Sequence, residues 1–130
     1  YLDTLANIAG TSEAPAPYRA TSKLMREQET ALLEPLMDYL RGRNDIRIVG
    51  PSNAEDRVPT IAIHAKRSGE ELAKKLADHK IMVGGGHFYA YRLIKALGID
   101  TEHGVLRMSF VHYTTPEEVQ QLIKGLDQVL

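Results

Sequence analysis

Residues 81–118, IMVGGGHFYAYRLIKALGIDTEHGVLRMSFVHYTTPEE, decide the fold of this chain and contain its candidate site. The stretch has a glycine triplet at 84–86, a His-Phe-Tyr run at 87–89, an arginine inside the apolar run 105–111 and a helix start at Thr115. A strand rarely carries a charge without a partner for it. The arginine beside a glycine-rich loop therefore predicts a binding site for an acidic small molecule.

Arg107 is the strongest single candidate in this stretch. Side chains alternate along a strand, so Leu106 and Met108 point to one face and Arg107 points to the other. A guanidinium on a partly covered face requires an acceptor for its fork of donors, typically a carboxylate. That acceptor is either a ligand or a Glu or Asp of a neighbouring helix, and the sequence leaves both open.

The glycine triplet and His87 are weaker candidates. We expect a strand at 81–83, a turn at the glycines and a helix over 88–97. Such a turn either uses positive φ angles or presents backbone N–H groups to an anion. The glycine spacing matches neither the dinucleotide fingerprint nor the P-loop, which favours the simple turn. His87 stands in this turn beside two aromatic residues, where an imidazole can donate to a ligand.

The rest of the chain predicts an α+β two-layer sandwich, with helices packed on a small, mostly antiparallel sheet of three or four strands. Leucines and Met37 at helical spacing indicate a helix over 22–41, kinked or split by Pro35. Strands are expected at 46–49, 60–65 and 105–111. Ser68 and Thr115 open capping boxes for two further helices. We expect residues 1–21 to be an N-terminal arm or linker and 22–130 to be the domain.

Composition excludes several function classes. The 16 basic and 17 acidic residues give a net charge of -1, which argues against nucleic-acid binding. The chain has no cysteine, so a thiolate nucleophile or cysteine-ligated metal is impossible. The five histidines lack metal-ligand spacing, and no catalytic serine motif is present, so we predict no metal and no catalytic residue of its own. No apolar run approaches membrane-spanning length, and we expect a cytoplasmic protein that contacts no membrane.

The motifs together resemble the C-terminal small domain of class V aminotransferases, the pyridoxal-phosphate enzymes that include cysteine desulfurases. The resemblance covers residues 20–130 and depends on the order of four motifs. These are a short strand, a Gly-His loop, a strand with arginine and a Thr-Pro-Glu-Glu helix start, here Ile81-Met82-Val83, Gly86-His87, Leu106-Arg107-Met108-Ser109 and Tyr113-Thr114-Thr115-Pro116-Glu117-Glu118.

The resemblance implies roles for three residues. Arg107 would bind the α-carboxylate of an amino-acid substrate, and Gly86 and His87 would border the active-site entrance. Two departures from the desulfurase pattern matter. Tyr89 aligns with the catalytic cysteine, and Gly84 stands where an arginine is usual, so persulfide chemistry on this segment is excluded.

We therefore expect the C-terminal domain of a pyridoxal-phosphate enzyme, inactive without a large domain that binds the cofactor. None of the chain's lysines has the sequence context of a cofactor lysine, and the chain begins without Met, so we expect a fragment of a longer parent that forms a homodimer. The alternative is a free-standing α+β ligand-binding or regulatory module in which Arg107 is structural. A third possibility is self-association through the face on which the large domain would pack.

Overall fold

The structure is a computed structural model that describes residues 1–8 and 16–130. This part of the chain forms five α-helices and four β-strands. In order they are α1 (Leu2–Ile8), α2 (Ala16–Arg41), β1 (Ile46–Val49), β2 (Thr60–Ala65), α3 (Gly69–Asp78), β3 (Gly84–Gly86), α4 (Tyr91–Ala96), β4 (Val105–Ser109) and α5 (Pro116–Val129).

The four strands form one antiparallel sheet in the order β1-β2-β4-β3. Strand β4 is therefore central, although it is the last strand in the chain. Its Arg107 lies between Ala62 of β2 and Gly84 of β3. The predicted α+β class with a small antiparallel sheet is confirmed.

One face of the sheet carries the main hydrophobic core. Ile61 and Ile63 of β2, with Leu106 and Met108 of β4, are completely buried on this face. Helices α2, α3 and α5 cover it with apolar residues. The predicted apolar face of α2 is confirmed, since Leu33, Leu36, Met37 and Leu40 are all buried. On α5, the periodic residues Val119, Leu122, Leu126 and Val129 are buried and Ile123 is partly buried.

The opposite face of the sheet is only partly covered. A smaller cluster of Ile94, Ile99 and Val105 lies there, with α4 and its flanking loops packed over one end. Arg107 and Ser109, further along the same face of β4, are exposed. The second face thus has a closed apolar end and an open polar end.

Helix α2 differs from its prediction in two ways. It begins at Ala16 rather than at residue 22, and it continues through Pro35 without a break. Pro35 is on the exposed side of the helix, so the carbonyl that loses its hydrogen bond can face water. Burial of Leu33, Leu36 and Met37 on the other side outweighs that loss.

The N-terminal arm is also partly helical. Helix α1, within the predicted arm, packs against α2. Residues 9–15 of the predicted linker lie outside the described residues. The boundary between arm and domain at residue 21 stays a prediction.

The third strand is the largest correction. It forms at the glycines, 84–86, and not at 81–83, and the triplet is therefore not the predicted turn. Lys80 has a φ of +60°, which turns the chain after α3. Ile81 and Val83 then pack against the main core. Only the glycines come alongside β4, because Gly84 pairs with Arg107 and Gly86 with Val105.

Smaller corrections concern the flanks of the site. Helix α4 covers 91–96 rather than 88–97, and its Leu93 is 57% exposed. Strand β4 ends at Ser109 instead of Val111. His112 lies in the loop after this strand, and its ring is half-buried beside Glu29 and Tyr1.

Both predicted helix starts are confirmed, but only Thr115 forms the predicted capping box in full, and Ser68 forms half of one. The Thr115 hydroxyl accepts from the Glu118 N–H at 3.2 Å, and the Glu118 carboxylate accepts from the Thr115 N–H at 2.7 Å. Ser68 accepts from the Glu71 N–H at 3.2 Å, while the Glu71 carboxylate pairs with Arg67. These bonds satisfy N–H groups that have no partner within the helix. None of the helices in the described ranges has the length and apolar content to cross a membrane.

Two glycines allow α3 to lie directly on the sheet. A Cβ added at Gly85 would overlap the backbone of Gly69, and a Cβ added at Gly69 would overlap the carbonyl of Val105. The start of α3, β3 and β4 therefore meet backbone to backbone. No side chain larger than hydrogen fits at either position without moving the helix.

We predict that Gly85→Ala destabilises the chain by about 1–3 kcal/mol or more, because the added methyl group must separate α3 from β3. The free energy of unfolding in urea measures this effect. Gly42→Ala is the matched control, since its Cβ would meet nothing closer than the Tyr39 carbonyl at 3.5 Å. Equal stability of the two variants would contradict the close contact.

Candidate functional site

Arg107 is an exposed cation at the centre of the open end of the sheet. Its guanidinium carbon lies 4.0 Å from the centroid of the Phe88 ring. It forms no ion pair and no side-chain hydrogen bond with any group in residues 1–8 and 16–130. The structural ion pair considered from the sequence is therefore not found among the described residues.

Most of the other arginines are used differently. Six of the other eight donate to described carboxylate, hydroxyl or carbonyl oxygens, namely Arg26, Arg41, Arg43, Arg47, Arg57 and Arg67, while the exposed Arg19 and Arg92 form no such bond within residues 1–8 and 16–130. Arg47, on the edge strand of the same sheet, donates to the Leu97 carbonyl at 2.8 Å. Arg107 by contrast has a ring against one face and its N–H donors available to a ligand.

Gly84 makes room for the ring that supports Arg107. A Cβ at Gly84 would lie 2.8 Å from Cε1 of Phe88, so any side chain there would displace the ring. Phe88 also packs against the smaller apolar cluster below α4. The guanidinium is thus stacked on a ring that is itself fixed, which restricts its orientation. This role of Phe88 was not predicted, although its position beside His87 in the sequence was noted.

The loop after β3 has an unusual backbone. Phe88 and Tyr89 have φ values of +50° and +59°, a conformation that costs side-chain-bearing residues energy. Two hydrogen bonds hold it, from the Tyr89 N–H to the His87 Nδ1 at 3.2 Å and from the Ala90 N–H to the His87 carbonyl at 2.8 Å. The result is that Phe88 turns toward the sheet while Tyr89 is 99% exposed.

His87 and Gly86 both border this loop. Because the His87 Nδ1 accepts a hydrogen bond, the neutral ring carries its hydrogen on Nε2, which can donate outward. Gly86 has a φ of +128° and faces open space. Gly86 pairs with Val105 and Arg107 pairs with Gly84, so Gly86 and His87 lie toward the Val105 end of the β3–β4 pair, and the Phe88 ring is the part of the loop that contacts Arg107.

Two hydroxyl groups extend the polar end of the sheet. The Thr60 hydroxyl donates to the Ser109 hydroxyl at 3.2 Å, and Ser109 lies two residues beyond Arg107 on the same face of β4. The sequence did not predict that Thr60 lies beside Ser109. The partnership depends on the register of β2 against β4, which local sequence does not encode.

A histidine pair occupies the same face near the other end of the sheet. The rings of His64 and His103 lie 4.9 Å apart, and the His103 Nε2 is 2.9 Å from the Ala65 carbonyl oxygen. Burial lowers the pKa of His64, and the nearby positive charges of protonated His103 and of Arg47 lower it further. In the described ranges no three His, Asp or Glu side chains come together as metal ligands.

The environment of the lysines decides whether one of them could form a Schiff base. All seven are exposed, at residues 23, 66, 74, 75, 80, 95 and 124. A lysine that forms a Schiff base requires a desolvated environment to lower its pKa. The chain thus presents a cation for an anionic group but no buried amine.

Comparison with known proteins decides the family. The profile for "Aminotransferase class-V" matches residues 5–122. The chain belongs to this family. The resemblance inferred from the motifs of residues 81–118 is therefore confirmed.

Individual relatives agree with this assignment. The chain is 30% identical over 116 residues to the aminotransferase-like protein FGM3 of Gibberella zeae, covering 86% of this chain and 29% of that protein. It is 33% identical over 106 residues to a probable cysteine desulfurase of Streptomyces coelicolor, covering 78% of this chain and 24% of that protein. The chain thus spans less than a third of the length of these curated relatives.

A solved structure gives the same fold. The cysteine desulfurase of Thermococcus onnurineus NA1 superposes with a TM-score of 0.72 at 26% identity, covering 87% of this chain and 28% of that one. The α+β sandwich of this family member is accordingly similar to one part of a cysteine desulfurase.

We predict that Phe88→Leu removes the stacking on Arg107 and keeps an apolar side chain in the cluster below α4. NMR should show the Arg107 side-chain signals shifted upfield by the ring in the unaltered chain and not in the variant. Phe110→Leu is the control, since Phe110 packs against the main core. Unchanged Arg107 shifts in Phe88→Leu would contradict the stacked geometry.

We also predict that stability falls with acidification through the titration of His64. Its pKa is lowered in the folded chain, so the unfolded chain binds the proton first, from about pH 6.5 downward. The folded state loses stability from there until the pH passes the lowered pKa. The free energy of unfolding in urea should be measured from about pH 8 to about pH 5, the range in which histidines titrate. His64→Gln should make this free energy depend less on pH in that range.

His79→Gln is the control for the histidine prediction, because His79 is exposed at the end of α3. Its pH profile should follow that of the unaltered chain. A His64→Gln profile with the same slope would mean that the burial of His64 has no energetic effect.

Proposed function

We propose that the chain is the substrate-binding small domain of a pyridoxal-phosphate enzyme and that Arg107 binds the α-carboxylate of an amino-acid substrate. Family membership supports the enzyme class, since class V aminotransferases and cysteine desulfurases generally depend on pyridoxal phosphate. The single observation that carries the proposal is the guanidinium of Arg107, stacked on Phe88 and without an acceptor among the described residues.

The cofactor itself does not fit the residues of this chain. Pyridoxal phosphate requires a lysine for its Schiff base, and every lysine here is exposed. We therefore assign the cofactor to a large domain of the same parent chain, against which this domain closes. Pyridoxal phosphate supplies the electron sink for bond cleavage next to the amino group. This chain supplies the position of the substrate.

Bidentate binding by Arg107 explains how this domain assists the reaction. Two parallel N–H donors to one carboxylate fix both the place and the rotation of the amino acid. Fixing the reactant in this way lowers the entropic cost of reaching the transition state. His87 and Gly86 are assigned to the rim of the entrance, where the His87 Nε2 can donate to the substrate.

The lack of cysteine limits which reaction of the family is proposed. The chain has no thiol, and Tyr89 stands where the desulfurase cysteine aligns. We therefore do not propose a reaction in which sulfur is transferred to a cysteine of this segment. We assign an aminotransferase-like or lyase-like activity on an amino acid, in a homodimeric, cytoplasmic parent.

The alternative, a free-standing module that binds a ligand without catalysis, has a direct test. A module should bind amino acids saturably in titration calorimetry with no large domain present. An enzyme domain should acquire such binding only in the cofactor-loaded protein that contains this chain. Binding by the isolated chain alone would favour the module.

We predict that Arg107→Ala lowers kcat/KM of the cofactor-loaded enzyme by about 10- to 100-fold, the value of a charged hydrogen-bonded pair. Arg107→Lys should recover only part of it, because an ammonium cannot form the bidentate pair. The absorption spectrum of the bound cofactor should not change. Arg19→Ala, at an exposed position on α2, is the control. Full activity of Arg107→Ala would refute the carboxylate clamp.

A further inference from the structure

Three nitrogen-bearing side chains that the proposed function does not use lie together on the partly covered face of the sheet. Arg47 of β1 is directly opposite His64 of β2, so the two side chains stand on the same face with their Cβ atoms about 5 Å apart. The His103 ring, from the loop before β4, lies 4.9 Å from the His64 ring. We call Arg47, His64 and His103 the basic cluster. Arg47 is exposed and both histidines are partly exposed, so a solute can reach all three.

No carboxylate balances the basic cluster within residues 1–8 and 16–130, where none of its members forms an ion pair. Asp100, in the same loop as His103, accepts instead from two backbone N–H groups of that loop, at 2.8 and 3.4 Å. Helix α4, which covers the neighbouring part of this face, contributes apolar residues there. The charged groups that face His64 are His103 and Arg47, and after burial they are the causes that lower its pKa.

The hydrogen bond of His103 couples ligand binding to a proton. Its Nε2 is 2.9 Å from the Ala65 carbonyl oxygen, which can only accept, so Nε2 carries the hydrogen of the neutral ring. The Nδ1 atom of the neutral ring then has a lone pair, which repels an anion. His103 can therefore donate to an anion through Nδ1 only after a proton has bound there.

Arg47 decides the sign of the ligand's charge. One of its terminal nitrogens donates to the Leu97 carbonyl at 2.8 Å, which anchors the guanidinium, and its other N–H groups have no acceptor in the described part of the chain. Two neighbouring imidazoles are also a common part of metal sites. The permanent positive charge of Arg47 disfavours a metal cation here and favours an anion.

We propose that the basic cluster binds a small oxyanion of the sulfate or phosphate class and takes up a proton from solvent as it does so. Arg47 supplies a permanent charge and N–H donors that suit oxygen atoms. The histidine pair supplies a further charge, because a bound anion favours the protonated rings that burial and mutual repulsion otherwise disfavour. The site shares no residue with the carboxylate clamp at Arg107, so it does not rest on the proposed function.

Sulfate is the probe for this site, because it stays fully ionised across the range in which histidines titrate. Any pH dependence of its binding therefore comes from the protein. NMR of the histidine rings, in sulfate and in chloride at matched ionic strength, follows His64. We expect sulfate to raise the pKa of His64 by about one unit, the effect of a nearby opposite charge. Calorimetry should then show sulfate binding about tenfold more tightly at about pH 5 than at about pH 8.

Variants locate the anion. Arg47→Gln should weaken sulfate binding throughout this pH range, and His64→Gln should remove most of its pH dependence. His79→Gln is the matched control, because His79 is exposed at the end of α3, and it should bind sulfate as the unaltered chain does. Arg107→Ala should also retain the pH-dependent binding. Circular dichroism of each variant checks that the fold is retained.

Inorganic phosphate and glycerol phosphate, compared at one pH, distinguish two sources of the oxyanion. Tighter binding of glycerol phosphate would assign the site to a phosphate monoester, and equal or weaker binding would assign it to the free ion. If sulfate leaves the His64 titration unchanged, or moves the His79 titration equally, the site is wrong. If Arg107→Ala abolishes the pH-dependent binding, the anion lies at the clamp, and the basic cluster is again wrong.

Discussion

The backbone contact between Gly69 and Gly85 is the constraint on which the site depends. It lets the start of α3 lie against β3, while Gly69 also meets the carbonyl of Val105 on β4. Strand β3 is thereby held alongside β4 with Gly84 opposite Arg107. Because Gly84 has no side chain, the Phe88 ring can occupy the space above it and stack on the guanidinium.

One face of the sheet stabilises the fold, and the other carries the candidate site. One face is buried by three helices and supplies the apolar area that stabilises the fold. The other is covered only at one end, by the small cluster of Ile94, Ile99 and Val105. That incomplete cover leaves Arg107 in contact with solvent while keeping its supporting ring partly buried. A charged group held this way avoids the desolvation cost of full burial and remains available to a ligand.

Sequence reasoning succeeded where the signal was local. The alternation of residues 105–109 placed Leu106 and Met108 in the core and Arg107 on the other face, and the Thr115 capping box marked the start of α5. It failed where an interaction between distant segments outweighed local preference. Ile81 and Val83 have a high strand propensity, yet the strand formed at the glycines because only they can approach Gly69.

The sequence by itself determined the family, the layers of the fold, the absence of a thiol and the candidate status of Arg107, since motifs, periodicity and composition are written along the chain. Only the tertiary structure decided that the Phe88 ring packs against Arg107 and that no described carboxylate pairs with it. These features depend on strand register and on the positive φ angles of one loop. Both arise from packing between residues far apart in sequence, which local patterns do not specify.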